Sequence, residues 1–234
     1  IKSGIDQDAL IDMFAEASAK QGDKLRKAVA DATLKALQGR ELTLENVRKV
    51  IKTVTQAASA GAEKNPASAV DVEAMLRKAF DGMDAALLKA VEANRKALQQ
   101  LLDQGAGLRE TQVKAALDGV EKMEDLFFSA IGKAVQGVGA PLQGPWQQVL
   151  KSMKLEGTAT GAGAAQTVEQ LMSQTQDALR KGRATSLRAS QTLLDSYAAM
   201  VSGVLIGMSE GLGGPVPMAD KPKAAPAKKR AASK

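Results

Sequence analysis

The chain has 234 residues, 44% of them apolar but only 3% aromatic, with no cysteine, no histidine and a formal net charge of +6. The absence of cysteine excludes a disulfide framework and a thiolate metal site. The absence of histidine excludes Ser-His-Asp triads, imidazole acid–base chemistry and the Glu-x-x-His ligands of di-iron bundles.

The order of elements reads as helix almost throughout, because alternating β-branched and aromatic segments are missing. A first helical region runs from about Asp6 to Leu37, with Leu10, Phe14 and Ala17 on one stripe and Leu25, Ala28 and Ala32 on the next; Gly22 is a point of interruption. Gly39 and Arg40 stop it, and Thr43 stands as N-cap for a second helix carrying Leu44, Val47, Val50, Ile51 and Val54. Gly61 to Pro66 forms the next break. Ser68 and Asp71 then resemble a capping box, with Asp in place of Glu or Gln.

The third helix has apolar positions at Val72, Leu76, Ala79, Met83, Ala86, Ala90, Ala97 and Leu101. Steps of three and four are the seam of a coiled coil or antiparallel bundle, here interrupted by a polar stretch near Asn94. Gly105 and Gly107 end it, and a fourth helix carries Val113, Leu117, Val120, Phe127, Ile131 and Ala134. Residues 76–84 and 113–121 echo one another at an offset of thirty-seven; a decayed hairpin repeat is one reading of this and chance in an Ala- and Lys-rich chain is the other. Gly137, Gly139, Pro141, Gly144 and Pro145 then predict a hinge or loop around Trp146, followed by a flexible segment from Gly157 to Gly163. A last helical region is expected from Val168 to about Leu212, with a weak point at Gly182.

The resulting division is 1–136 as a helical bundle, 137–163 as a Gly/Pro-rich hinge with a short helix, 164–212 as a C-terminal helical region, and 213–234 as a disordered basic tail. The fold class expected is all-α: an elongated antiparallel helical bundle, coiled-coil-like. Ala, Leu, Val and Met supply its apolar content, and burial contributes roughly 25 cal/mol per Å², so a thin core or burial completed by self-association follows. No targeting leader is expected from Ile1-Lys2-Ser3-Gly4, and no uncharged run has membrane-spanning length and hydrophobicity.

Gly203, Gly207 and Gly211 share one helix face with Ala199. Each helix-interior glycine costs about 0.8–1 kcal/mol against alanine, so three of them ask for an offsetting gain. Close approach of another helix supplies it, which makes this a helix-packing or oligomer face. An apolar face resting on lipid or polymer is the alternative.

The tail holds Lys221, Lys223, Lys228, Lys229, Arg230 and Lys234 against Asp220 alone, a charge of +5 that leaves the preceding 212 residues at +1. It is suited to neutralising phosphates on DNA or another polyanion without reading bases, and a solubilising tail is the plainer reading. Arg180, Lys181, Arg183 and Arg188 either extend that patch or form a solvated face. Asp81 with Asp84, and Glu121 with Glu124 and Asp125, are expected to be solvent-facing partners of Lys or Arg at helical spacing. Gly161-Ala-Gly163 lacks the third glycine and the preceding strand of a dinucleotide site. Trp146 and Tyr197 are expected to pack in the interior, and no catalytic, metal or cofactor residue is expected.

Long Ala-, Gln- and Lys-rich amphipathic helices together with Lys221-Pro-Lys-Ala-Ala-Pro-Ala-Lys-Lys-Arg230 resemble the bacterial phasins, coat proteins of polyhydroxyalkanoate granules, some of which carry a histone-H1-like tail. Thr33-Leu-Lys-Ala-Leu-Gln-Gly-Arg40 and Ser202-Gly-Val-Leu-Ile-Gly207 also look like an uncharacterised proteobacterial all-helical family. The phasin resemblance implies a non-enzymatic coat or scaffold, cytoplasmic and granule- or nucleoid-associated, that self-associates as a homo-oligomer. It implies amphipathic helices on a polymer granule or lipid surface and a tail on DNA. Leu76, Met83, Phe127, Val204 and Leu205 are the expected apolar surface contacts. A nucleoid-associated DNA-binding protein and a self-assembling protein-interaction scaffold are the alternatives.

Overall fold

The computed structural model describes residues 5–16, 21–38, 42–66, 68–103 and 110–182, together with Val201 and Val204. These residues are all-α, with no strand among them. The helices are α1 (Gln7–Glu16), α2 (Gly22–Gln38), α3 (Leu44–Lys64), α4 (Ala69–Asp103), α5 (Glu110–Glu121), α6 (Met123–Val135), α7 (Ala140–Glu156) and α8 (Ala159–Gly182).

Local chemistry sets the early boundaries as expected. Thr43 has extended backbone angles and its hydroxyl oxygen accepts from Asn46 N–H at 3.2 Å. The Ser68 hydroxyl oxygen accepts from Asp71 N–H at 3.3 Å and donates to Asp71 Oδ2 at 2.7 Å, so this box is closed side chain to side chain. The expected apolar stripe of α4 is buried from Val72 to Ala97. Asn94 does not interrupt it: the side chain is itself buried and bonds the Ala90 carbonyl one turn back, at 2.9 Å. At 35 residues α4 is the spine, about 52 Å long at 1.5 Å per residue.

The other helices arrange themselves around this spine. α2 lies along its middle in the same direction, with Gly22 against Lys78 and Gly82 against Arg26 and Val29. A side chain at Gly82 would collide with the Arg26 carbonyl, so this glycine sets the close approach of the two axes. α8 lies along the C-terminal half of α4, also parallel, with Asp84 opposite Ala159 and Leu98 beside Leu171. α1 packs on α3, where Gly61 admits the α1 backbone at Ile11. α3 in turn packs on α6 and runs antiparallel to α7, through Ser59 with Trp146 and Glu63 with Gly139. A main core results, with Phe14, Phe80, Phe127 and Trp146 among its fully buried side chains, and a small second cluster of Leu98, Leu117 and Leu171.

Two stretches differ from the sequence expectation. The single helix expected around Val113 to Ala134 is divided at Lys122, although Lys122 N–H still bonds the Asp118 carbonyl and Leu126 N–H the Lys122 carbonyl. The hinge expected at 137–163 is mostly α7 and the first turn of α8. Pro141 stands in the first turn of α7, where no intrahelical N–H bond is required, and Pro145 removes one such bond. Burial of Leu142, Trp146, Val149 and Met153 on one face outweighs that loss. True breaks remain at 137–139, between α6 and α7, and at Gly157, whose φ of +80° lies in the left-handed region that glycine favours.

Candidate functional site

The outer face of α6 and α7 carries the first feature. Phe80, Phe127 and Phe128 form an aromatic trio, with ring centroids 4.7 Å apart for Phe80–Phe127 and 5.7 Å for Phe80–Phe128. Phe127 is fully buried, whereas Phe128 reaches the outer edge of the trio and becomes the floor of a groove of about 540 Å³. Leu150 from α7 completes that floor. Lys151 and Lys154 rise beside it, with Asp125 and Gln147 also in the lining. Lys154 Nζ lies 5.6 Å from the Phe128 ring centroid, a cation–π geometry that keeps the ammonium over an apolar surface. Leu155, four residues after Lys151 and so on an adjoining strip of α7, is 81% exposed. Apolar floor and cationic rim are therefore contiguous, and the exposed leucine stands one turn beyond Lys151.

The second feature is the seat of α8. An α-helix begins with N–H groups that have no intrahelical acceptor. Here Ala159 N–H donates to Asp84 Oδ2 at 2.8 Å and Thr160 N–H to Asp84 Oδ1 at 3.0 Å, while Gly161 N–H donates to the Thr158 hydroxyl oxygen at 2.9 Å. The Thr160 hydroxyl donates to the Asp84 carbonyl at 3.0 Å, and the Thr158 hydroxyl donates to Glu124 Oε1. Two carboxylates, one from α4 and one from α6, thus meet the positive end of the α8 dipole. A side chain at Gly161 would overlap the Glu124 carboxylate, so the glycine makes room for that approach.

These positions correct the sequence reading of the acids. Asp84 is 8% exposed and caps a helix seventy-five residues away, and Glu124 bonds Thr158; neither serves as a solvent-facing i,i+4 partner. Asp81 is half-buried, and burial raises its pKa, opposed by the charges of Lys78, Arg77 and Arg26. Thr158 had a local signal, a threonine directly before an Ala-rich run, whereas Asp84 and Glu124 had none. Phe128 and Lys154 likewise had no signal that set them apart from Phe127 and Lys151.

Of the expected apolar contacts, Leu76, Met83 and Phe127 are each 0% exposed and face other helices. In the closed bundle they form the interior, because the three-and-four stripe that marked them as apolar is the face that neighbouring helices cover. Val204 is partly buried against the same core, which also contains Val201. Leu205, the face at Ala199, Gly203, Gly207 and Gly211, Tyr197, and the cations Lys221, Lys223, Lys228, Lys229, Arg230 and Lys234 lie outside the described residues. Trp146 packs in the core as expected, with its indole N–H on Ser59 Oγ at 2.9 Å. Among the described residues, no three carboxylates come together as a metal site and no helix is long and apolar enough to cross a membrane.

No curated protein and no solved structure matches this chain. Over residues 1–214 the chain belongs to DUF6781, described as a family of unknown function.

Proposed function

We propose that this protein is a non-enzymatic, phasin-like coat or scaffold that settles on a hydrophobic granule or lipid surface, with its basic C-terminal segment available to DNA or another polyanion. The observation that carries the reading is the α6–α7 face, where the Phe128–Leu150 floor and exposed Leu155 lie beside the ammonium groups of Lys151 and Lys154. Such a face combines apolar burial with attraction to an anionic interface, while the lysine stems cover apolar surface and keep their charges in water. The first contacts are therefore Phe128, Leu150 and Leu155, with Leu76, Met83 and Phe127 as the interior behind them.

Co-sedimentation with polyhydroxybutyrate particles and with neutral and anionic liposomes tests the reading, using the full chain, the chain truncated after Leu212, and Leu155→Asp. Saturable binding that survives truncation and high salt, and that Leu155→Asp weakens, supports it. Absence of binding to every particle overturns it.

One observation favours the protein-interaction scaffold as a second reading: large apolar side chains that stand exposed among the described residues are confined to Leu155 and Met172, a small area for a coat. In that case Leu155→Asp abolishes assembly with a protein while the particles remain unbound.

A further inference from the structure

α8 is attached to the bundle differently from the other long helices. Through residue 173, the side chains it buries are Thr158 at its N-cap, then Thr160, Ala164, Thr167 and Leu171; α3, by contrast, buries Val47, Val50, Ile51, Val54 and six smaller residues besides. Apolar area is what drives helix docking, so over residues 159–173 the seam between α4 and α8 is weak per residue. It is also polar at its edge: a cavity of about 200 Å³ runs beside it, lined by Glu92, Arg95, Gln166 and Gln170 among others. Its strong bonds are gathered in the first turn, at Asp84 and Glu124.

We propose that α8 is a releasable strap, clasped at its N-terminus by Asp84 and Glu124, and that its release is the opening step of surface binding. The pivot is in place. Arg77 Nη2 holds Glu156 Oε2 at 2.6 Å and so pins the end of α7, and Gly157, at φ +80°, is the next residue. Swinging α8 away leaves few stranded polar groups. Asp84, on release, exchanges the N–H donors of Ala159 and Thr160 for water. What release uncovers is apolar: Val91, Leu98 and Leu117 on α4 and α5, and Val168 and Leu171 on the strap. An amphipathic helix and an amphipathic groove then face the same particle. The purpose assigned to the opening rests on the coat reading above; the existence of the strap does not.

Two experiments on the full chain decide it. The first is hydrogen–deuterium exchange of Asp84→Ala against the unaltered protein. Exchange in residues 159–171 is expected to accelerate about tenfold or more, with α2 and α3 unchanged. Uniform acceleration along the chain, or none in α8, overturns the strap. The second is a lock. The chain has no cysteine, and Gly163 approaches Leu88 so closely that a side chain there would meet it. Leu88→Cys with Gly163→Cys is therefore positioned to form a disulfide across the seam. The oxidised protein is expected to lose co-sedimentation that reduction restores. Equal binding by both forms overturns the coupling of release to binding. Should the unaltered protein bind no particle, the coat reading fails, and the exchange pattern still decides the strap.

Discussion

The α1–α4 part of this bundle and its α7–α8 part solve the same problem, pairing polar atoms, in opposite ways. In the first, each buried hydroxyl turns back on its own helix: Thr33 donates to the Val29 carbonyl at 2.7 Å, Thr55 to Ile51 at 2.8 Å, and Ser59 to Thr55 at 2.8 Å. What passes between these helices is mainly apolar contact. In the second, the bonds run across the fold: Trp146 to Ser59, Gly139 N–H to Glu63, and the α8 N-terminus to Asp84. A helix satisfied within itself can change neighbours at low polar cost, whereas a helix satisfied by others is fixed by where its partners stand. The first part is a hydrophobic adhesive, and the second is fastened at points.

The comparison breaks first at Phe80, which joins α4 to α6 at the centre of the aromatic trio. Phe80→Ala should cost about 3–5 kcal/mol, through lost burial and the cavity left behind. Denaturant unfolding followed by far-UV circular dichroism is the check. Because adhesion in this part is shared by many apolar contacts, the loss should lower the protection of α2, α3 and α4 together. Loss confined to one helix would show that the apolar part is itself divided.

Gly161→Ala probes the fastened part. The new methyl enters the space of the Glu124 carboxylate, whose flexible end must move aside and give up its bond to Thr158, at a cost of about 1–3 kcal/mol. Glu124→Ala should itself destabilise α8 by removing the bond to Thr158, yet rescue part of the Gly161→Ala effect by making room. A double-mutant cycle in chemical denaturation measures this coupling. Strict additivity would mean that Glu124 does not hold its place against α8.

Trp146→Phe gives a smaller effect, about 1–2 kcal/mol, from a lost hydrogen bond and a partly empty pocket. Ser59 keeps its own bond to Thr55, so the change should loosen α7 from α3 without disturbing α3. Amide exchange that rises in α7 and stays constant in α3 is the expected pattern.

What was legible in the sequence follows the same line. Thr43, Ser68 with Asp71, and the stripe from Val72 to Ala97 are local signals, caps and periodicity, and each landed where the chain alone would put it. The all-α class is the sum of such signals. The α7 region was read as a hinge because Pro141 and Pro145 are local signals too; Trp146 was expected inside, but nothing nearby announced that Leu142, Val149 and Met153 would be buried with it on one helix face. Asp84 shows the same limit more sharply. Its spacing from Asp81 and from nearby lysines fits a solvated helix face, and its true partners, the N–H groups of Ala159 and Thr160, are seventy-five residues away. The apolar stripe likewise does not distinguish a face covered by another helix from one offered to a surface, which is why Leu76, Met83 and Phe127 carried the right chemistry and the wrong location.

Asp81 supplies the smallest test, and one whose sign is set by burial. It lies one turn before Asp84 on α4, and its pKa is raised because burial disfavours its charged form more than Lys78, Arg77 and Arg26 favour it. A carboxylate whose folded pKa lies above its unfolded value weakens the fold once pH exceeds the unfolded value, and the full penalty is present above the folded one. Asp81→Asn removes that penalty. At neutral pH the variant should be more stable by no more than about 0.5 kcal/mol, since the site is half-open to solvent. The gain should shrink as pH falls through the raised folded pKa and vanish below the ordinary aspartate range, where both states are protonated. Denaturation midpoints taken from acid to neutral pH read this directly. A destabilisation by Asp81→Asn at neutral pH that faded as pH fell would mean that the three cations outweigh burial, and that Asp81 fastens α4 as Asp84 fastens α8.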